Sequence, residues 1–370
     1  MVLVGDENEG YTYAHIEGVK EAAKAIGLSE DNILWKYSIP EDSTCYDAIV
    51  DLIGQGCTCI VTNSYGHQSY AQQAAADFPD VTVVSMTGDT ANWAGVANFH
   101  NAFTSVYESR FVSGVVAGMK VKELVDNGKL SDKNYDKDGN VKIGYVGAYP
   151  YAEVVSGYTA FFLGIKSVYE NVSMEVQYTN SWFDITAEGT AAEALVADGC
   201  VIIGQHADST GAPAALQALY EEGTVCYSVG YNVDMLSVAP DAALTSATNV
   251  WEVYYEYLLS SVISGKEVAQ NWAAGYSVGA VAITKLGNSV AEGTADKVAE
   301  VEAALKDGSL HVFATDTFTV NGANLDTYLV DMDGDWVGDT EAIWDGYFHE
   351  SELRSAPSFD IRIDGITELN

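Results

Sequence analysis

The residues most able to do chemistry gather just past short apolar runs. "VLVG" (2–5) leads into "EGYTYAHIEG", which carries Tyr11 and Tyr13. "TNSYGH" supplies Asn63, Ser64 and Tyr65, and the run "VTVVSMTG" ends at Thr87, with Asp89 and Trp93 beyond it. Later runs lead to Tyr149, Tyr151 and Glu153 ("AYPYAEV"), to Trp182 and Asp184 ("NSWFD"), to Gln205, His206 and Asp208 ("GQHAD"), and to Tyr231, Asn232 and Asp234 ("GYNVD"). The set is aromatic, amide and carboxylate, with few cations. Flat aromatic walls with acidic or neutral edge groups suit a planar heterocycle bearing N–H donors. Sugars stay open, whereas a phosphate or an anionic acid calls for Arg or Lys. Each residue also has a plain structural role. Tyr11 and Tyr13 could pack on the following helix, Trp182 could fill a core, Glu153 and Asp184 could cap helices, and His206 could be a hydrogen-bonded strand end. The case for a site rests on all of them falling at strand ends, where open α/β sheets bind ligands.

Motifs for catalysis and cofactors fail. "GDENEG" lacks both the dinucleotide G-x-G-x-x-G and the phosphate-loop pattern, and no G-x-S-x-G elbow occurs. "DKDGN" and "DMDGDW" suggest calcium loops, but Gly139 and Gly334 come one residue too early for an EF-hand, so both read as turns. His206 and Asp208 have no second histidine-rich segment to complete a metal set. No cofactor and no metal are expected.

The elements that must position these residues form a repeating series. Apolar runs "VLVG", "NILWKYSI", "CTCIVTNS" and "VTVVSMTG" alternate with helical stretches, the first with Ile16, Val19, Ala23 and Ile26 at helical spacing and Gly27 as its stop. After the helix "YESRFVSGVVAGMKVKELV" and a polar hairpin, "SDKNYDKDGNVK", a second series begins with "KIGYVGAY", "SMEVQYTN", "CVIIGQHA" and "VCYSVGYN". This predicts an α/β protein with two similar lobes, each a parallel sheet with helices on its faces. The strands "ALTSATNV" and "YSVGAVAI" fit neither series and read as crossings between lobes, with hinges near Phe103, Ala247 and Tyr276. The expected N-terminal lobe is 1–103 plus 247–275 and the C-terminal lobe 104–246 plus 276–320. Residues 321–370 read as an irregular extension packed on the lobes.

The 370 residues hold 17 Lys+Arg against 53 Asp+Glu, a formal charge of −36 spread along the chain. Such a surface repels nucleic acid and anionic membranes. No apolar run is long enough to span a bilayer. The opening "MVLVG" stands almost inside a first strand, which suggests that a leader has been removed. The five cysteines form no C-x-x-C pair and fit buried thiols better than a disulfide framework.

In "GYTYAHIEG", "YESRFVSGVVAG", "IGYVGAYPYAEVVSGYTAFFLG", "NSWFD", "GQHAD" and "VGYNVDMLSVAPDAALTSATNVWEVYY" the sequence resembles the basic membrane protein family, lipid-anchored solute-binding proteins of ABC importers that include purine-nucleoside receptors. The resemblance runs in family order over about residues 1–320. It implies a type I periplasmic-binding fold: two Rossmann-like lobes, three hinge crossovers, and a ligand trapped as the lobes close. It also implies an extracytoplasmic, lipid-anchored monomer that delivers its ligand to a membrane permease. Carried over by position, the two base-stacking aromatics fall at Tyr11 and Trp182, with Tyr13 and His15 as support. Asn232 stands where nucleoside receptors use an Asp, Asn249 where they use a Lys, and Thr87 where they use an Asp. "YTYAH" is similar to the "WTYAH" branch, which resembles nucleobase binders. The expected ligand site is Tyr11, Ser64, Tyr65, Thr87, Tyr149, Glu153, Trp182, Gln205, His206, Asp208, Asn232 and Trp251, and the expected ligand is a purine-type base, with a purine nucleoside as the alternative. From other classes, a nucleoside hydrolase and a sensor module compete; the former would need an Asp cluster near the first strand, which is absent.

Overall fold

The computed structural model describes residues 1–370. Helix α1 (Gly10–Ile26) buries Ile16, Val19, Ala22 and Ala23 on one stripe. It ends where Gly27, at φ 74°, turns the chain left-handed and its N–H meets the Lys24 carbonyl. After α2 (Thr44–Gly54) come β1 (Cys59–Thr62), α3 (Gln68–Asp77), β2 (Thr82–Met86) and β3 (Phe99–Thr104). These strands pair in parallel in sequence order, and β9 (Asn271–Ala274) joins beyond β3.

The second series supplies α4 (Val106–Asp126), β4 (Val141–Gly147), α5 (Ala152–Lys166), β5 (Val172–Tyr178), α6 (Ile185–Asp198), β6 (Ile202–Gln205), α7 (Gly211–Glu221), β7 (Tyr227–Tyr231) and β8 (Ala243–Asn249). Its sheet runs β10-β8-β7-β6-β4-β5-β15, with β10 (Val281–Ile283) antiparallel to β8 and β15 (Ile366–Glu368) at the far edge. Central β4 is buried along nearly its whole length, as a strand covered by helices on both faces must be. Near the edge, β5 alternates instead, turning Ser173, Glu175 and Gln177 outward. Helices α4 and α5 touch at paired glycines. A Cβ on Gly114 would lie 2.1 Å from the Phe161 carbonyl oxygen, and one on Gly164 would lie 2.1 Å from that of Phe111. Helix α8 (Trp251–Ser264) packs on α1, and α9 (Thr294–Lys306) on α4.

The chain therefore forms two α/β lobes and crosses between them three times: at Ser105, at Val250 and over 275–280. The second crossing lies a little beyond Ala247, because β8 stays in the C-terminal sheet through Asn249. Side chains tie the crossings together. Thr104 Oγ1 donates to Asn249 Oδ1, and the Tyr276 N–H donates to Glu108 Oε2 at 2.7 Å.

Three expected strands differ from the structure. "VLVG" and "NILWKYSI" form only single parallel bridges, Val2 to Thr62 and Val2 to Lys36, extending the N-terminal sheet by one residue each. Around Lys36, Trp35 and Tyr37 stack on each other at 6.0 Å, and Pro40 follows, so no longer ladder develops. "YSVGAVAI" splits into a short turn at Tyr276–Val278 and β10, because Gly279 adopts φ 75° between them. The N-terminal sheet instead takes its last strand from "NWAA".

The tail is less irregular than expected. It carries β11 (Leu329–Val330) against β12 (Thr340–Glu341), β13 (Ile343–Trp344) against β14 (Tyr347–Phe348), and β15 (Ile366–Glu368) parallel to β5. Phe313 and Phe359 stack at 4.2 Å within the core of the C-terminal lobe, which anchors the tail there.

Candidate functional site

A cleft of about 870 Å³ separates the lobes. It is lined from the N-terminal lobe by Glu9, Tyr11, Asn63, Ser64, Tyr65, Gln68, Thr87, Asp89, Trp93 and Phe103, and from the C-terminal lobe by Tyr151, Glu153, Trp182, His206, Asp208 and Tyr231. Seven expected residues besides Tyr11 thus face it: Ser64, Tyr65, Thr87, Glu153, Trp182, His206 and Asp208. Aromatic rings come from both sides. Tyr65 and Tyr151 approach across the lobes at 6.0 Å, Tyr151 reaches Trp182 at 6.1 Å, and Tyr149 sits behind them, stacked on Tyr151 at 5.2 Å.

Four expected residues lie off the cleft surface. Trp251 is a core residue: only 1% exposed, it stacks on His15 at 4.3 Å and meets Phe103 at 5.8 Å. The turn into α8 directs it onto α1, where Gly18 leaves the room it needs; a Cβ there would stand 2.6 Å from that of Trp251. Tyr149 forms the layer behind Tyr151. Gln205 spends its amide on the carbonyls of Ala207 and Ser209, at 2.8 and 3.0 Å, and so shapes the turn that carries Asp208. Asn232 is held in an internal relay. Its Nδ2 donates to Asp208 Oδ1 at 2.7 Å, while its Oδ1 accepts from Asn249 Nδ2 at 2.9 Å. Asp184 caps α6, its Oδ1 accepting from the Ala187 N–H at 2.9 Å. Glu153 caps nothing and faces the cleft.

A buried chain of hydrogen bonds sets the charge on Glu153. Arg110, 2% exposed, donates to the Tyr145 hydroxyl and the Gln205 carbonyl, both at 2.7 Å, and lies 3.7 Å over the Tyr231 ring. The Tyr145 hydroxyl stands 3.4 Å from His206 Nδ1, and His206 Nε2 is 2.7 Å from Glu153 Oε1. Burial, aided by the Arg110 charge, lowers the His206 pKa, so the imidazole is neutral and donates its Nε2–H to the carboxylate. Burial alone would raise the Glu153 pKa; His206 and Arg110 outweigh it and hold the pKa below the ordinary value. One oxygen of a fixed carboxylate is thus spoken for, and the other is available to a ligand N–H.

Sequence reasoning did not single out Glu9, although it stands two residues before Tyr11. Here the side chain makes no capping bond. It is 7% exposed, and burial raises its pKa to about 7.

The tail supplies a third wall that the sequence pattern did not suggest. Tyr328, Asp331, Trp336, Arg354, Pro357 and Asp360 line the cleft. Arg354, the only Lys or Arg side chain in the lining, points NH1 toward Asp89 of the N-terminal lobe at 3.7 Å. Asn92 donates to the Leu353 carbonyl at 3.1 Å, and Trp93 packs against Gly334. The "DMDGDW" turn brings the carboxylates of Asp331, Asp333 and Asp335 within 4.8 Å of one another. Asp331 also accepts the N–H groups of Gly334 and Trp336, at 2.8 and 2.9 Å. All five cysteines are free, and no helix is long and apolar enough to cross a membrane.

The sequence and fold agree with known proteins. A family model described as "ABC transporter substrate-binding protein PnrA-like" matches residues 5–310. A purine-binding protein of Brucella abortus is 32% identical over 314 residues, covering 85% of this chain and 82% of that one. A Haloferax volcanii protein named for glucose binding by an ABC transporter is 28% identical, over 84% of this chain and 72% of its own. Among solved structures, an ABC transporter solute-binding protein of Aeropyrum pernix superposes with a TM-score of 0.69 at 14% identity, over 84% of this chain and 91% of that one. That likeness supports the type I periplasmic-binding fold. Substrate-binding proteins of this kind work outside the cytoplasm, take small molecules, and hand them to permease partners. By sequence and fold together, this chain belongs to the Bmp family of PnrA-like ABC transporter substrate-binding proteins.

Proposed function

We propose that the chain is a lipid-anchored, monomeric receptor that binds a purine-type nucleobase between its lobes and delivers it to an ABC permease. The observation that carries this reading is the chemistry of the cleft: aromatic rings from both lobes over carboxyl groups, with Arg354 as the only strong cation. Rings of both lobes offer π-faces to a planar base, and the free oxygen of Glu153 offers an acceptor to a base N–H. Phosphate is disfavoured by Glu9, Asp89, Glu153, Asp208, Asp331 and Asp360 around the cavity. The similar Brucella abortus protein is named for purine binding. A base is favoured over a nucleoside because Asn232 and Asn249, standing where ribose-binding charged groups are expected, bond to each other and to Asp208.

Calorimetry with adenine, guanine, hypoxanthine and xanthine beside their ribosides tests this, with glucose in the same panel. A free base should bind tightest. Tighter binding of a riboside would overturn the base preference, and binding of glucose alone would overturn the purine reading. Release of free base from inosine or adenosine would make the protein a hydrolase.

A further inference from the structure

We propose that Glu9 is the ligand-reading residue of the N-terminal lobe: it shares a proton with Asp208 of the opposite lobe, and that proton tunes the cleft floor to ligand edges with a hydrogen-bond donor beside an acceptor. The proposal deepens the purine reading above and rests on it.

The geometry comes first. Glu9 ends the loop before α1, and Asp208 follows β6 in the other lobe; the Gly10 N–H donates to the Asp208 carbonyl at 3.3 Å, which brings the two segments together. Both side chains line the cleft, and each residue is 7% exposed. Gly5 leaves the space in which the Glu9 carboxyl lies, since a Cβ there would stand 2.4 Å from Oε2. Glu9 Oε2 is buried without a hydrogen-bond partner. Asp208 Oδ1 is taken by Asn232, which fixes the orientation of that carboxyl.

No base neutralises the pair. The groups that face it are Asp6 from the same loop, Tyr11 and Thr12 from α1, Glu153 from α5, Glu188 from α6 and Asn232 after β7. Glu188 is tied to the Ser209 N–H, and Glu153 accepts from the neutral His206 imidazole. Two adjoining buried carboxyls in such surroundings cannot both ionise near neutrality. Burial raises the Glu9 pKa to about 7, against hydrogen bonds from Thr12 and with Asp208 that lower it, while burial and the Glu9 charge hold the Asp208 pKa well above the ordinary carboxylate range. The pair behaves as one unit with a held proton.

A carboxylic acid beside a carboxylate presents one O–H donor and several acceptor lone pairs. The matching purine edges carry one donor and one acceptor, such as N6–H and N7 of adenine or N1–H and O6 of hypoxanthine. When the last proton leaves, the floor becomes acceptor-only. It then favours edges with two donors, such as N1–H and N2–H of guanine. The discrimination therefore follows pH.

The test uses the full chain and three proteins: wild type, Glu9→Gln and Glu9→Ala. Infrared difference spectra of the ligand-free proteins from pH 5 to 9 should show a protonated carboxyl that titrates near neutrality in wild type and is lost or shifted in E9Q. Calorimetry with adenine at pH 7, in buffers of different ionisation heat, should show proton exchange in wild type. E9Q should bind adenine within about threefold of wild type but without that exchange, because an amide keeps a donor and an acceptor. E9A should bind about tenfold more weakly or worse. Equal affinity and equal proton exchange in all three proteins would overturn the proposal while leaving purine binding intact. If wild type binds no purine, the purine reading and the edge selectivity both fall, and the infrared titration still decides whether the proton is shared.

Discussion

Replacing Glu153 by Gln tests the cleft chemistry most directly, because the structure dictates which way the new amide must face. Glu153 Oε1 accepts from His206 Nε2 at 2.7 Å, and that ring is neutral, with Arg110 bonded to the Tyr145 hydroxyl beside it. A glutamine must keep its carbonyl toward the His206 N–H to avoid setting donor against donor. Its NH₂ group then faces the cleft, where a ligand N–H now meets a donor in place of a carboxylate. The alternative, moving the His206 proton to Nδ1, would make the Tyr145 hydroxyl accept from both His206 and Arg110 and give up its own donation. Either way the ligand loses a charge-assisted hydrogen bond, worth about 1.5–3 kcal/mol, or roughly 10- to 150-fold in affinity. Calorimetry with the tightest-binding purine measures the change, and a thermal melt checks that the fold persists. Binding by E153Q within twofold of wild type would refute the assignment of Glu153 as a ligand acceptor.

Trp182→Ala should weaken purine binding by about 1–3 kcal/mol, the usual worth of one base-on-aromatic contact, and leave the melting temperature nearly unchanged; normal binding or outright unfolding would return Trp182 to a packing role. Gly114→Ala should destabilise the C-terminal lobe by about 1–3 kcal/mol or more, since its Cβ would lie 2.1 Å from the Phe161 carbonyl oxygen on α5, whereas Gly54→Ala, with nothing within 4 Å, serves as the neutral control in denaturant titrations. Burial raises the Glu108 pKa to about 7, so its contribution to stability is complete below the unfolded value near 4.5 and is lost as pH rises through 7. Melts at pH 5.5 and 8 should show wild type losing more stability than Glu108→Gln, by at most about 3 kcal/mol, and parallel losses would contradict the shift.

The parallel strands of the C-terminal lobe were legible because strands covered on both faces are written as continuous apolar runs, as in "KIGYVGAY" and "CVIIGQHA". β9 was not, because "NWAA" is only half-buried and carries no β-branched residue; its place is set by pairing with β3. Within the site, Ser64, Thr87 and His206 stand just past strand ends and line the cleft, whereas Asn232, just past β7, is held between Asp208 and Asn249. Trp251 also lies off the cleft. It comes two residues after β8, but it begins a helix, and the helix swings its ring between α1 and Phe103 of the sheet. Glu9 and Trp251 are mirror cases: an acid that the sequence pattern did not single out lines the cleft, and an aromatic expected in its wall is core.

The tail was illegible for a different reason, and this bears on what relatives can teach. Its strands are two or three residues long, too short for any hydrophobic period to register. Its place comes instead from the Phe313–Phe359 stack and the β15–β5 ladder, which hold the segment between them against the C-terminal lobe. That segment then reaches the other lobe through Arg354 and Leu353. The family match ends at residue 310, whereas the cleft wall continues to Asp360. The aromatic and carboxyl groups around Tyr11, Glu153 and Asp208 lie in the matched region and can be compared with relatives residue by residue. The surface made by Tyr328, Trp336, Arg354 and Asp360 lies beyond that region, so its effect on which ligands fit must be measured on this chain. Because the tail is anchored on one lobe and touches the other, any hinge motion that narrows the cleft must also shift or break the Asp89–Arg354 contact.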